Sequence, residues 1–348
     1  MNGSRRFLAL ILGFGLIGLV ASPLPAAVKP RAKVEIKIAT IAPDGSTWMR
    51  IMDQFDLDIR SQTGGEVGLR FYPGGIQGDE SIVLRKIRAG QLQGGGFTGT
   101  GLGEIASGLR VMELPFLYQN LDEVHAVRDK MAPIFEKMLN DAGFHLLGWS
   151  DVGFVYLFSK SPIGSVDDLR KSKMWLWEGD PLAQALLQTV GVSPVPLPIT
   201  DVVTALQTGM IDAVYTSPLG CISLQWYTRV SNMTDLPVAH AMGAVVVSRE
   251  VWDQITPGSQ TIVRNLADKY FTQLSEATAH ESQLSVQVLQ QKGIHLVSLN
   301  DADKASFQSI GRSVREKLVG KLYTQVLLDQ TLQTLAAAQG AHSGAKAP

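Results

Sequence analysis

Two stretches of this sequence, KMWLWEGDP at Lys173–Pro181 and IDAVYTSP at Ile211–Pro218, decide its fold and place its candidate site. Side chains alternate across an extended strand, so Trp175 and Trp177 share one face of the first stretch. Ligand crevices of open α/β sheets lie just beyond the carboxyl ends of strands. The acidic residues after the tryptophans are therefore expected at such a crevice. Two indoles in a buried core would show the same spacing, so the rest of the chain has to decide.

The sequence around these stretches alternates strands with helices, which is typical of a parallel sheet. The predicted strands are Val34–Ile41, Glu66–Tyr72, Gly94–Gly101, Phe144–Trp149, Phe154–Ser159, Lys173–Trp177, Pro194–Leu197 and Met210–Tyr215. The predicted helices follow Ser46, begin at Asp79 or Glu80, and span Pro181–Val190 and Thr200–Thr208. We therefore expect an α/β fold of two lobes. Lobe I covers residues 33–150, completed by a later segment near 216–250, and lobe II covers residues 151–215.

A long helix is predicted at Thr256–Lys292. Thr256 is placed to cap it, Pro257 suits the first helical position, and Gly293 ends it. Its apolar stripe is Ile262, Leu266, Tyr270, Leu274, Ala277, Leu284 and Val288. At 1.5 Å per residue the helix is roughly 50 Å long, so we expect it to brace both lobes over residues 256–293. C-terminal helices are expected over residues 301–339 and a disordered tail over residues 340–348.

The N-terminus has the pattern of a secretory signal peptide over residues 1–27. Arg5 and Arg6 form the basic region, Phe7–Val20 the apolar region, and Ala21–Ala27 the small-residue exit. The apolar run is too short for a comfortable membrane span, and no cysteine follows it to bear a lipid anchor. We expect an exported, periplasmic protein.

Composition excludes several classes of partner. A net charge of −1 with 18% charged residues provides no basic surface for nucleic acid. Cys221 is the only cysteine of the sequence, so we expect no intramolecular disulfide and a buried, unreactive thiol. We expect a monomer held together by two large cores.

Patterns typical of catalysis are weak. Gly101–Ala106 matches the dinucleotide pattern G-x-G-x-x-A, but it does not follow the first strand of its unit. The six histidines have no metal-ligand spacing, and no G-x-S-x-G occurs. We therefore expect no enzymatic activity, no cofactor and no metal site.

Five segments resemble those of the TRAP transporter substrate-binding (DctP) family. They are IATIAPDGS at Ile38–Ser46, FYPGGIQGDE at Phe71–Glu80, ELPFLY at Glu113–Tyr118, DLRKSKMW at Asp168–Trp175 and PLPITDVVTALQTGMIDAVYTSP at Pro196–Pro218. The resemblance implies two lobes joined by crossing strands, a bracing helix, and one small molecule bound in the cleft. It also implies delivery of that molecule to TRAP membrane subunits that use an ion gradient. A ligand-binding sensor or scaffold module for an extracytoplasmic receptor is the alternative.

The chain departs from this family at the positions that bind the ligand. Typical members have a carboxylate-clamping arginine where this chain has Trp175, and sialic acid-binding members have a second one at Val155. Family asparagines correspond to Ile41 and Ser217, and an acidic position corresponds to Thr98. A bidentate guanidinium is the strongest carboxylate ligand available to a protein. The departures imply a branch without the usual clamp, whose ligand is not a simple dicarboxylate.

Candidate ligand-binding residues come from the tryptophan strand, the predicted crossing and the glycine strand. They are Trp175, Trp177, Phe154, Asp151, Val155, Thr98, Gly99, Tyr215, Thr216, Ser217 and Glu178. Glu178 and Asp180 have an alternative role in capping the helix that begins at Pro181. Aromatic walls with a few hydroxyls favour an uncharged or amphipathic organic ligand. Two alternatives stay open. One is a cation over an indole, since Asp151, Glu178 and Asp180 are acids without a nearby base, and the other is an acid bound by backbone amides.

Because Trp175 stands in place of the clamping arginine, we expect succinate, malate and sialic acid to bind weakly or not at all. A thermal-shift screen measures this directly, since a ligand that binds only the folded chain raises its melting temperature. A large stabilisation by succinate or malate would contradict the expectation.

Overall fold

The crossing of two long strands organises the fold. The structure is a computed structural model, and it describes residues 32–344 of the chain. The predicted signal peptide lies outside these residues. The strands are β1 (Val34–Thr40), β2 (Val67–Tyr72), β3 (Gly94–Thr98), β4 (Phe144–Ser159), β5 (Trp175–Trp177), β6 (Val195–Leu197), β7 (Ala213–Thr216), β8 (Asn232–Thr234), β9 (Ala239–Ser248) and β10 (His295–Val297). The helices are α1 (Thr47–Gln62), α2 (Glu80–Arg88), α3 (Gly99–Ile105), α4 (Leu121–Asp141), α5 (Val166–Lys171), α6 (Pro181–Val190), α7 (Val202–Thr208), α8 (Pro218–Ser223), α9 (Arg249–Trp252), α10 (Pro257–Gln291), α11 (Asp301–Leu318) and α12 (Gln325–Gly344).

One mixed sheet passes through both lobes, because β4 and β9 cross between them. In lobe I, β1 lies parallel to β2 and β3, and β9 runs antiparallel to β3 and β4. Further along, β4 pairs antiparallel with β7 and β8 in lobe II, and β8 pairs with β10. The segment near 216–250, predicted to complete lobe I, therefore contributes β8 to lobe II and β9 to the crossing. The parallel pair β5–β6 joins β7 through a bridge between Met174 and Ala213. The predicted two-lobed α/β fold with crossing strands is confirmed.

Helices cover both faces of the lobe I sheet. On β1, Ile36 and Ile38 point into a core shared with α1 and α10, whereas Ala39 points into a core shared with α2 and α4. On β9, Val247 faces the first core and Val246 the second. Both faces of these strands are therefore buried, as is usual in α/β sheets covered by helices.

The crossing differs in detail from the prediction. The sequence predicts two strands separated by Ser150–Gly153, but the structure has one 16-residue strand, β4. The register of β4 against β9 shifts between Asp151 and Gly153, as at a β-bulge. Gly153 has a φ angle of +105°, which a side chain would strain. The turn-forming residues Ser150–Gly153 therefore lie at a bulge inside one strand. The prediction that they separate two strands is wrong.

The glycine strand is also shorter than predicted. β3 ends at Thr98 and Gly99 begins α3, so the prediction of a strand over Gly94–Gly101 is wrong in its last residues. A Cβ atom added at Gly94 would lie 2.7 Å from the carbonyl oxygen of Val246. Because Gly94 has no side chain, the backbone of the neighbouring strand β9 can approach this closely.

The tryptophan strand is buried on both faces. Trp175 and Trp177 belong to one lobe II core, and Met174 and Leu176 belong to the other. This alternation confirms that the two indoles share a face. Helix α6 then begins at Pro181, as predicted.

Helix α10 braces both lobes. It is 35 residues long, with Thr256 as its N-cap, as predicted. Leu274 packs into a lobe I core with α1, and Leu289 packs into a lobe II core. Beyond Leu274 the buried stripe differs from the prediction, because Ser285 and Leu289 are buried while Leu284 is 46% exposed. The placement of Leu284 in the stripe is wrong, since the helical period turns it toward solvent.

Helices α11 and α12 follow the brace. Helix α12 continues to Gly344, into the segment that the sequence predicts as a tail. Residues 345–348 lie outside the described part of the chain.

The two leucines of α10 give a matched test of the brace. We expect Leu274→Ala to lower the free energy of unfolding by about 2–5 kcal/mol, because its side chain is fully buried. Leu284→Ala makes the same chemical change on the exposed face and should stay within about 0.5 kcal/mol of the wild type. Denaturant unfolding of both variants measures the difference, and equal losses would refute the assigned packing.

Candidate functional site

Two adjoining cavities lie where the lobes face each other. The inner cavity has a volume of about 110 Å³ and the outer cavity about 190 Å³. They share a wall that includes Thr98, Trp177, Thr216 and Ser217. The inner cavity has mainly aromatic and aliphatic walls, and the outer one contains more hydroxyl groups. A continuous, largely apolar space with a few polar groups is typical of a small-molecule site.

A larger groove of about 620 Å³ lies on the other side of Arg110. Its walls come from α3, α6 and the end of α11, and they combine polar side chains such as Glu104 and Lys317 with aliphatic ones such as Leu318. Arg110 and Thr100 line both this groove and the inner cavity. We take the two aromatic cavities as the candidate site, because no aromatic side chain is among the described residues that line the groove.

Most of the predicted ligand-binding residues meet at the two cavities. These are Trp175, Trp177, Asp151, Val155, Thr98, Gly99, Tyr215, Thr216 and Ser217. The structure does not place Phe154 and Glu178 among the lining residues. Phe154 alternates with Val155 along β4 and packs edge-on against His240, with 5.3 Å between ring centroids. Glu178 is exposed, and Asp180 caps α6 instead.

Trp175 forms the aromatic wall of the inner cavity. Its indole stacks on the Tyr215 ring at 4.9 Å and meets the Trp226 ring edge-on at 5.3 Å. Its Nε1–H donates to the carbonyl oxygen of Leu197 at 2.9 Å. Trp175 is only 1% exposed, because neighbouring rings cover most of its surface and the Leu197 carbonyl of β6 accepts the hydrogen bond of its Nε1–H.

Trp177 connects the two lobes through Asp79. Its Nε1–H lies 3.1 Å from both Asp79 carboxylate oxygens, and its backbone N–H donates to the Tyr215 hydroxyl at 3.0 Å. Asp79 is the N-cap of α2 in lobe I, and it also accepts from the Ile199 N–H in lobe II at 2.9 Å. One buried carboxylate therefore holds two segments of the opposite lobe.

Glu80 fixes the wall formed by Thr98. One carboxyl oxygen accepts from the Thr98 N–H at 2.7 Å, and the other accepts from the Thr98 hydroxyl at 3.0 Å and the Gly101 N–H at 2.8 Å. Burial raises the pKa of Glu80 to about 8, against these hydrogen bonds, which lower it. The carboxyl group that supports this wall therefore changes its protonation state at a pH of about 8.

Arg110 places a guanidinium group at the inner cavity. Its Nη2 donates to both oxygens of Asp180, at 3.0 and 3.1 Å, and its Nε lies 3.1 Å from Glu113. Burial alone would lower the pKa of Arg110, but Asp180 and Glu113 raise it. Burial raises the pKa of Glu113, with Arg110 opposing the shift. The acid Asp180 therefore has a direct basic partner, and the expectation of acids without a nearby base is wrong.

Asp151 also has basic partners. His125 Nε2 lies 2.9 Å from one carboxylate oxygen, and Arg128 lies 3.6 Å from the same oxygen. Burial alone would raise the pKa of Asp151, but the His125 hydrogen bond and the charge of Arg128 lower it below its usual value. Asp151 sits at the bulge of β4, so this cluster lies at the crossing and beside the outer cavity.

Sequence reasoning missed Arg110, His240 and Glu80. Arg110 stands in the apolar run LRVMELPF, and His240 stands in the apolar strand AHAMGAVVV. An ionisable residue inside a buried apolar segment is a usable sequence signal, because such groups rarely stay buried without a partner or a role.

Other chemistry is sparse in the described residues. Cys221 is buried as expected, and burial raises the pKa of its thiol to about 12. Within residues 32–344, no group of three or more His, Cys, Asp or Glu side chains is arranged to hold a metal ion. In the same range, no helix is both long enough and apolar enough to cross a membrane.

The family model for bacterial extracellular solute-binding protein, family 7 (DctP), matches residues 38–321. The chain belongs to the DctP family. This is a family of solute-binding proteins, which accords with an interlobe cavity as the site.

Relatives of this DctP-family chain bind different acids. The chain is 23% identical to the 2,3-diketo-L-gulonate-binding periplasmic protein YiaO of Escherichia coli, over 75% of this chain and 80% of that one. It is 20% identical to the C4-dicarboxylate-binding periplasmic protein DctP of Rhodobacter capsulatus, over 93% of this chain and 97% of that one. A solved TRAP periplasmic solute-binding protein from Xanthobacter autotrophicus, with bound β-D-galacturonate, has a TM-score of 0.80 at 20% identity, covering 86% of this chain and 99% of that one. The structural likeness confirms the two-lobed fold.

Glu80 predicts a pH dependence of stability. Its folded pKa of about 8 lies above the ordinary value of 4.5, so the folded chain keeps a proton that the unfolded chain releases. The stabilisation is complete below about pH 4.5 and is lost as the pH rises through 8. Relative to Glu80→Gln, we expect the wild-type free energy of unfolding to fall by about 1 kcal/mol per pH unit between about pH 5.5 and 7.5.

Denaturant unfolding at several pH values measures this slope. Glu276→Gln removes an exposed glutamate and serves as the control that should keep the wild-type slope. Parallel curves for the wild type and Glu80→Gln would show that Glu80 is ionised throughout.

Proposed function

We propose that this chain is the extracytoplasmic solute receptor of a TRAP transporter, and that it captures a small organic solute with an apolar body and no more than one carboxylate. The observation that carries the proposal is the make-up of the two cavities. Among the described lining residues, Arg110 supplies the guanidinium or ammonium group, and it is already paired with Asp180 and Glu113. The remaining wall is dominated by Trp175, Trp177 and their aromatic neighbours.

The volumes support a small solute. A dry apolar cavity of about 150 Å³ accepts one benzene ring. Cavities of about 110 and 190 Å³ that share a wall suit one ring or branched chain with a few substituents. An aromatic wall stabilises such a body by burial and stacking.

The charges disfavour a second carboxylate on the solute. A dicarboxylate needs two sets of cationic or donor groups, but among the described lining residues Arg110 is the one guanidinium or ammonium group. The 2,3-diketo-L-gulonate and galacturonate of the relatives each have one carboxylate, which supports an acid of that kind. The dicarboxylate-binding relative from Rhodobacter capsulatus makes the distinction worth testing.

The transport role follows from the family and the predicted export segment. We propose that the chain acts in the periplasm and passes its solute to TRAP membrane subunits. Deleting the gene should abolish uptake of the solute by cells that contain those subunits. Uptake that continues, together with binding by the purified chain, would favour the sensor role.

The binding proposal is tested on the purified chain. Mass spectrometry of solute released on denaturation should identify a small molecule of the stated class. We expect Trp175→Leu to weaken its binding by about tenfold or more in calorimetric titration, because stacking and burial at the inner wall are lost. Trp252→Leu is the matched control, since Trp252 is equally buried but lies in a lobe I core away from both cavities.

Two results would defeat the proposal. One is a released solute with two carboxylates that binds through the cavities. The other is equal affinity in the wild type and Trp175→Leu, which would show that the inner cavity does not hold the solute.

A further inference from the structure

Two residues with unsatisfied buried polar atoms line the inner cavity. In residues 32–340, buried side-chain nitrogen or oxygen atoms without a hydrogen-bond partner belong to Arg110, Trp149, His240, Ser282 and Arg315. Of these residues, Arg110 and His240 line the inner cavity. Buried polar groups are almost always hydrogen-bonded, so orphan atoms at a cavity wall point to a partner that occupies the cavity.

His240 lacks a partner on both ring nitrogens. It lies on β9 and is 1% exposed. Its Nε2 is 3.7 Å from the nearer Asp151 oxygen, which is too long for a hydrogen bond. Burial lowers the pKa of His240 to about 4, so the ring is neutral and offers one donor and one acceptor.

Arg110 has hydrogen-bond partners at Nη1 and Nη2, but its Nε makes no hydrogen bond. Nη2 bonds Asp180, and Nη1 reaches the Thr100 hydroxyl at 3.3 Å. Nε faces Glu113 at 3.1 Å without the alignment of a hydrogen bond. The other carboxylate oxygen of Glu113 accepts a hydrogen bond from the Met242 N–H at 2.8 Å. The guanidinium thus retains a donor for a further acceptor.

We propose that Arg110 and His240 determine the specificity of the inner cavity: Arg110 binds a single carboxylate of the solute, and His240 bonds a hydroxyl or carbonyl group on the same molecule. The inference rests on the proposed function. The solute class is then a small hydroxy or oxo monocarboxylic acid whose apolar body lies against Trp175 and Trp177.

Two probe sets separate the two contacts. The first is mandelate, mandelamide and phenylacetate, and the second is 2-hydroxy-4-methylpentanoate, its amide and 4-methylpentanoate. Within each set, the amide removes the charge and the third compound removes the hydroxyl. We expect the wild type to bind the hydroxy acid about tenfold or more tighter than the amide, because hydrogen bonds to charged groups are the stronger ones.

The variants assign each preference to a residue. Arg110→Gln should abolish the preference for acid over amide, and His240→Phe should abolish the preference for the hydroxyl. Asp180→Asn keeps a good N-cap for α6 but removes one charge from Arg110, so it should raise the affinity for the hydroxy acid several-fold. Titration calorimetry measures all three.

Matched controls exclude a purely structural effect. Arg60→Gln removes another buried arginine that is paired with two carboxylates, Asp56 and Glu35, away from both cavities. His145→Asn removes a partly buried imidazole that stacks on Trp252. Both should keep the wild-type preferences. If Arg110→Gln does not fold, Arg110→Gln combined with Asp180→Asn removes one of the two buried carboxylate charges left behind and gives the same readout.

Three outcomes would overturn the inference. In the first, the wild type shows no preference for acids or binds no probe of either set. In the second, Arg110→Gln and His240→Phe keep both preferences. In the third, Asp180→Asn weakens acid binding as much as Arg110→Gln does, as expected if the pair only joins the lobes. The proposed function survives each of these results if a released solute still binds the wild type more tightly than Trp175→Leu.

Discussion

The antiparallel pairing of β4 with β9 is the constraint on which the rest of the structure depends. The pair runs from Phe144 opposite Ser248 to Val155 opposite Ala239, so the same hydrogen-bonded ribbon belongs to both lobes. The bulge at Asp151–Gly153 bends the ribbon where one lobe gives way to the other. Because the ribbon fixes how the lobes face each other, it also fixes which side chains can line the space between them.

The contacts across that space are polar and buried. Asp79 of lobe I accepts from Trp177 and Ile199 of lobe II, and Arg110 pairs with Asp180. A buried ion pair gains little net stability, because desolvating the charges offsets their attraction, but an unmatched partner is costly. Such contacts therefore favour one arrangement of the lobes over others without adding much to its stability.

The sequence predicts the parts of this molecule that follow from local patterns. Alternation places Trp175 and Trp177 on one face, and the Thr256–Pro257 pair marks the start of α10, because pleat geometry and capping act within a few residues. The continuity of β4 is not predictable in this way, since its turn-forming residues are overruled by pairing with β9, nearly a hundred residues later. Arg110 and His240 are missed for the same reason. Their place at the cavity depends on segments that are distant in sequence, whereas the resemblance directs attention to Trp175.

The clustering of rings around the inner cavity has an optical consequence. Trp175, Trp177 and Trp226 are three of the six tryptophans of the chain, and Trp175 lies within 6 Å, between ring centroids, of both of the others and of Tyr215. Excited states of rings this close are coupled, and an occupant of the cavity changes the polarity around them. The intrinsic emission and the near-ultraviolet circular dichroism of the protein are thus weighted toward the cavity, which gives the molecule a built-in, label-free reporter of its own occupancy.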